Sequence, residues 1–172
     1  VERNQYLLPA IIVLVVIIAL ILALSVSGNN TFNTGTVSFQ YPNSWSQESL
    51  VGNFSNSSIY SSVTLTTNYA DSNGKTQPAY IVVQMQEKAT GSLNLPTTNN
   101  ILLNTTNSSV ASTTVNNITA SQVGSVGTNI GSKYTIIDKD NNYYLITYIC
   151  PRFALNQTEQ AYNNLLQTLK IN

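Results

Sequence analysis

The stretch Lys133–Pro151 reads KYTIIDKDNNYYLITYICP. Two runs rich in β-branched and aromatic residues, Tyr134–Asp138 and Tyr143–Cys150, flank Lys139-Asp140-Asn141-Asn142. Short polar residues of this kind tolerate the tight backbone of a turn, so the pattern predicts a β-hairpin and an antiparallel sheet as the frame of the fold. Side chains alternate across a strand, which puts Tyr144 and Tyr148 on one face and Tyr143 on the other. These aromatics read as sheet packing, with a surface for glycans or a partner as the alternative.

Further strands follow upstream. Val37–Tyr41 alternates strictly and stops at Pro42-Asn43. Ile59–Thr66 is β-branched and polar by turns, and Ala79–Gln86 (AYIVVQMQ) carries apolar residues on both faces, as a central strand does. Thr97–Asn129 is low in complexity, with a short helix expected around Asn100–Asn107 against the tendency of Asn, Ser and Thr to compete for helical hydrogen bonds. Downstream, Asn156 is placed to cap a helix, with Glu159 three residues on as in a capping box. Tyr162, Leu165, Leu166 and Leu169 then form one apolar stripe that would cover a face of the sheet. Strands first and a covering helix last predict an α+β domain, an antiparallel β-sheet covered by helices.

The N-terminus is a different material. From Leu7 to Val26, 18 of 20 residues are apolar and none is charged. As a helix this run reaches about 30 Å, the thickness of a bilayer's hydrocarbon core, and it has no polar stripe. Pro9 falls in its first turn, where a missing N–H costs least. The reading is one N-terminal transmembrane helix inserted in the lipid bilayer. Ala23-Leu24-Ser25 offers a cleaved signal peptide as the alternative, though the run is longer than a signal's apolar region. Arg3 places residues 1–6 in the cytoplasm and the rest of the chain outside it. Residues 27–36 (SGNNTFNTGT) read as a flexible linker, and residues 37–172 as the extracytoplasmic domain.

Composition excludes several functions. The net charge is zero over 172 residues, and residues 27–172 carry six basic and six acidic groups without a basic cluster, so no nucleic-acid partner is expected. The chain has no histidine and one cysteine, which removes His-based catalysis, His-ligated metal and an internal disulfide framework. No cofactor is implied. Asn-x-Ser/Thr sequons for N-glycosylation stand at Asn29, Asn53, Asn56, Asn104, Asn107, Asn117 and Asn156. With 23 Asn, chance alone supplies about five in a chain this rich in Ser and Thr.

The residues from Gly35 on resemble a known family. GTVSFQYPNSW (Gly35–Trp45) is similar to the opening of PsbP-like domains, with a strand, a Tyr-Pro pair and a Trp. VNNITASQV (Val115–Val123) resembles a strand of that family bearing a V-N-G-x-x-A pattern. The hairpin from Lys133 and the ending LLQTLKIN match in order and spacing. The resemblance implies an α/β/α layered fold around an antiparallel sheet, in the membrane-anchored, Asn-rich form of methanogenic archaea. The family's named members are assembly or stabilising factors of the oxygen-evolving photosystem. This chain departs from them in its anchor and in lacking basic docking patches and histidine.

Isolated motifs carry little chemistry. Asp138-Lys-Asp140-Asn-Asn142 has the alternating oxygens of a calcium loop, but Tyr143 and Ile149 stand where an EF-hand needs Gly and Glu, so a turn is expected there. Cys150 lacks a base and reads as a buried apolar residue, with an intermolecular disulfide as the alternative. Ser72-Asn-Gly-Lys75 has Ser–Lys spacing but lies in a turn. The reading is therefore a non-enzymatic accessory or interaction module at the cell surface, with an unknown membrane or cell-surface protein as partner. Alternatives are a pilin-like filament subunit, and a secreted hydrolase using a carboxylate pair such as Glu87 with Asp71.

Overall fold

A computed structural model describes residues 28–88 and 109–172. The strands are β1 (Asn29–Asn33), β2 (Val37–Pro42), β3 (Ser46–Val51), β4 (Tyr60–Ala70), β5 (Thr76–Glu87), β6 (Ser109–Val115), β7 (Ile118–Val126), β8 (Ile130–Lys139), β9 (Asn142–Pro151) and β10 (Lys170–Ile171). Helix α1 (Leu155–Thr168) follows β9 after one 3-10 turn, Arg152–Ala154. Seven strands form one antiparallel sheet in the order β3-β4-β5-β9-β8-β7-β6, and β1-β2-β10 form a second.

The predicted hairpin is the centre of the large sheet. Lys139 pairs with Asn142 across a two-residue turn, and Asp140 takes φ +55°, which a short polar residue accepts at small cost. Tyr144 pairs with Met85 and Ile137, and Ile146 with Val83 and Thr135. That register aligns Leu65, Ile81, Val83, Met85, Ile137, Ile146 and Tyr148 in one buried cluster. Tyr144 and Tyr148 belong to this core, while Tyr143 is half-buried on the opposite face.

Two elements cover the core face. β2 turns Val37, Phe39 and Tyr41 inward, and the Phe32 ring stacks on Phe39 at 4.9 Å and meets Phe54 edge-on at 5.6 Å. Beside it, α1 buries Ala161, Tyr162, Leu165 and Leu166, and Leu169 is buried just past its end. The Tyr162 ring meets Tyr148 edge-on at 4.9 Å.

Several expectations are corrected. Residues 27–36 are not all linker, because Asn29–Asn33 form β1, held by burial of Phe32. Asn156 does not cap α1: the helix begins at Leu155, two residues earlier than such a cap implies, after Ala154 with no side-chain cap, and Asn156 lies exposed inside it. The α/β/α layering is met on one face only, since α1 is the single α-helix among the described residues. The transmembrane run Leu7–Val26 and the helix expected around Asn100–Asn107 lie outside the described residues. Among the described residues no helix is long and apolar enough to cross a membrane.

Candidate functional site

The calcium-loop reading places its oxygens at the β8–β9 turn, and there an ammonium takes the position of a cation. Lys88, just past β5, pairs with Asp138, donates to the Asp140 carbonyl at 2.7 Å and lies 5.1 Å from the centre of the Tyr143 ring. Asn141 Nδ2 donates to Glu87 Oε1 at 3.0 Å. Lys139 donates to the Ile171 carbonyl, tying the chain's end to the same tip. Carboxylates already satisfied by lysines are poor ligands for calcium, and no group of three metal-ligating side chains occurs among the described residues. The loop is a braced hairpin tip.

The other chemical candidates are taken up by structure in the same way. Asp71 Oδ1 accepts from the backbone N–H of Asn73 at 2.8 Å and of Lys75 at 2.9 Å, closing the β4–β5 turn that holds Ser72. Cys150 faces the core, only 1% exposed, and burial pushes its thiol up. It is neither an activated thiolate nor accessible for a disulfide with another chain. Asp71 and Glu87 lie at opposite ends of β5, whose 12 residues span roughly 40 Å. They cannot form the carboxylate pair of a hydrolase, which needs a separation within about 10 Å.

A row of polar side chains crosses the core face where α1 covers it. Gln122 Nε2 donates to Thr135 Oγ1 at 2.9 Å, Thr135 meets the Tyr162 hydroxyl, and Tyr162 donates to the Ile146 carbonyl at 3.2 Å. Burial raises the pKa of Tyr162 and of Tyr148 beyond the ordinary tyrosine range. These are neutral, saturated groups that bond α1 to the sheet. The groove beside them, about 400 Å³, is lined by Thr113, Asn116, Asn163 and Gln167 and holds no charged side chain.

The sequon asparagines Asn29, Asn53, Asn56, Asn117 and Asn156 are exposed, and Asn104 and Asn107 lie outside the described residues. Asn53 and Asn56 sit in the β3–β4 loop and Asn117 in the β6–β7 turn. Thr158, which completes the sequon of Asn156, is fully buried and donates to the Ala154 carbonyl at 3.0 Å.

Among the described residues, apolar surface is left open at two ends. Leu50, Val51, Ile59 and Tyr60 are exposed where β3 ends and β4 begins. This end also holds the β8–β9 tip, since the Glu87 N–H donates to the Ile59 carbonyl and Asn142 pairs with Glu87. β3 is exposed along its whole length and has a free edge among the described strands. Val126, Ile130, Ile149 and Phe153 are exposed at the opposite end. Sequence reasoning missed both groups because each joins residues from separate strands and turns.

The sequence matches no known family and no curated protein. Solved structures similar to this chain include the cyanobacterial PsbP (CyanoP) of Synechocystis, at 10% identity and a TM-score of 0.47, with 84% of this chain and 92% of that one covered. A protein of Bacteroides thetaiotaomicron is similar at 11% identity and a TM-score of 0.48 over 86% of this chain, which spans about half (49%) of that one. LpqN of Mycobacterium tuberculosis, involved in cell envelope biogenesis, is similar at 15% identity and a TM-score of 0.50, with 84% of this chain and 91% of that one covered. At that identity the likeness to LpqN is one of fold, and it carries no activity across.

Proposed function

We propose that this chain is a PsbP-like domain of the membrane-anchored archaeal type. Leu7–Val26 holds it in the bilayer, and the domain works outside the cytoplasm as a non-enzymatic accessory module for a membrane or cell-surface protein. The observation that supports this most is the exposed apolar group Leu50, Val51, Ile59 and Tyr60 beside the free edge of β3. An exposed patch next to an unpaired strand suits docking of a protein segment. Tethering concentrates such a surface near other membrane proteins and so strengthens an otherwise weak contact. The exposed sequons suit glycans on an outer-face domain; Asn156 is the exception, because α1 buries its threonine.

A photo-crosslinking residue at Ile59 of the full chain, activated in intact cells, tests the proposal. A discrete adduct with one membrane protein is expected, and it should weaken with Leu50→Ser. No adduct above that from a crosslinker at Asn73, in the β4–β5 turn, would contradict the interaction. A ladder of adducts between copies of this chain would instead favour the pilin-like alternative.

A further inference from the structure

We infer that the end of the sheet formed by Val126, Ile130, Ile149 and Phe153 rests on the lipid surface, with its apolar side chains in the headgroup region of the bilayer. This rests on the anchorage proposed above and adds to it which surface faces the membrane.

β1 starts at Asn29, so Ser27 and Gly28 alone separate it from the apolar run that ends at Val26. Two residues reach about 7 Å at full extension. Gly28 is fixed in the domain, its carbonyl accepting from the Asn43 N–H at 3.0 Å, and it borders a groove with Trp45, Tyr69 and Gln157. Gln157 lies about one helical turn, roughly 5 Å, beyond Phe153. Tyr69 pairs with Gln77, which borders Phe153 and Arg152. The anchor therefore enters the domain beside this end. The β8–β9 tip and Ile59 lie the length of β9 away, 10 residues or about 33 Å, beyond the reach of so short a connection.

The chemistry of the end agrees with a lipid occupant. Val126 and Ile130 flank the tip of the β7–β8 turn, where the Gly127 N–H donates to the Ile130 carbonyl at 2.8 Å. Phe153 projects from the adjoining 3-10 turn, and Arg152 Nη1 donates to the Gly127 carbonyl at 3.1 Å, linking the two. Val126 is 47% exposed, Ile130 56%, Ile149 39% and Phe153 48%, while most other large apolar side chains among the described residues are buried. Among the described residues the charged groups around this end are Arg152, Lys75, Asp71 and the paired Lys133 and Glu159, which line a pocket with Val126, three cations to two anions. Apolar side chains ringed by Arg and Lys are the composition that settles at the headgroup boundary, where the cations meet phosphate.

The test uses the full chain reconstituted in phospholipid vesicles. Nitroxide labels are placed singly at Ile130→Cys, Phe153→Cys and, as the distal control, Asn141→Cys; buried Cys150 stays unlabelled. At positions 130 and 153 the label should collide with membrane-dissolved oxygen several-fold more, relative to an aqueous nickel complex, than at position 141. Near-ultraviolet circular dichroism matching the parent chain ensures that each labelled protein is folded. Equal, water-like ratios at all three positions in a chain that floats with the vesicles would overturn the docking and leave the anchor standing. A chain that fails to float would overturn both. A label at 130 or 153 that is shielded from both reagents and broadened by the same label on another copy would show a second copy of the chain on this end and overturn the inference.

Discussion

Tyr162 shows how one residue binds two layers. Its ring packs on Tyr148, and its hydroxyl closes a chain that runs from Gln122 through Thr135 to the Ile146 carbonyl. Replacing it by Phe keeps the ring and leaves the Ile146 carbonyl and Thr135 short of a partner in a buried place. Tyr162→Phe should cost about 1–3 kcal/mol, measured by denaturant unfolding with an unchanged m-value. The burial of Tyr162 and Leu165 was legible in the sequence, because helical periodicity reports which side of α1 faces the sheet. The polar row was not, because its members stand on β7, β8 and α1 and meet only through register. The cap expected at Asn156 failed for a related reason: Pro151 and the 3-10 turn start the helix early, and tertiary burial of Ala154 and Thr158 replaces a local cap.

At the scale of elements, legibility followed alternation. β2 alternates apolar and polar residues, β4 is β-branched and polar by turns, and β5 and β9 carry apolar residues on both faces, and each was readable. β3 (SQESLV) is exposed throughout and interrupted by an irregularity between Gln47 and Ser49, so it has no alternation to read. β6 lies in a Ser- and Thr-rich stretch whose residues suit a loop as well as a strand. The turn joining β6 to β7 is Asn116-Asn117, at φ +47° and +66°, the left-handed pair that a two-residue hairpin demands. Asn117→Gly should leave stability unchanged or slightly higher, and Asn117→Val should lower it by about 1–2 kcal/mol, since β-branching opposes that backbone. Thermal unfolding of the two variants side by side checks the difference. The loop after β3 depends on Gly52 in a similar way. It sits at φ +69°, and a Cβ there would come within 2.7 Å of the Tyr60 carbonyl oxygen, so the chain can fold back and bury Phe54 only with glycine at that position.

For the whole molecule, stability should depend on pH on the alkaline side. Burial raises Tyr148 and Tyr162 above the ordinary tyrosine pKa of 10.0, with the Glu159 charge adding to the rise at both. In the unfolded chain both titrate near that value. Above it the unfolded state loses protons that the folded state keeps, so stability falls as pH rises, while below it these two groups contribute no slope. Tyrosinate absorbance followed through alkaline unfolding should show two tyrosines ionising only as the fold is lost; their smooth titration in the folded chain would contradict the burial.

A neutral, amide- and hydroxyl-rich domain follows an apolar run two residues upstream in sequence and exposes apolar side chains at both ends of its sheet. In the proposed function this domain stands outside the cytoplasm on a retained anchor. The most direct test is labelling of Asn141→Cys, at the exposed distal tip, with a membrane-impermeant maleimide on intact cells, followed by a carbonate wash of the membranes. Full labelling before lysis is expected, with the labelled chain retained in the washed membranes. Labelling only after lysis, or release of the chain by the wash, would contradict it.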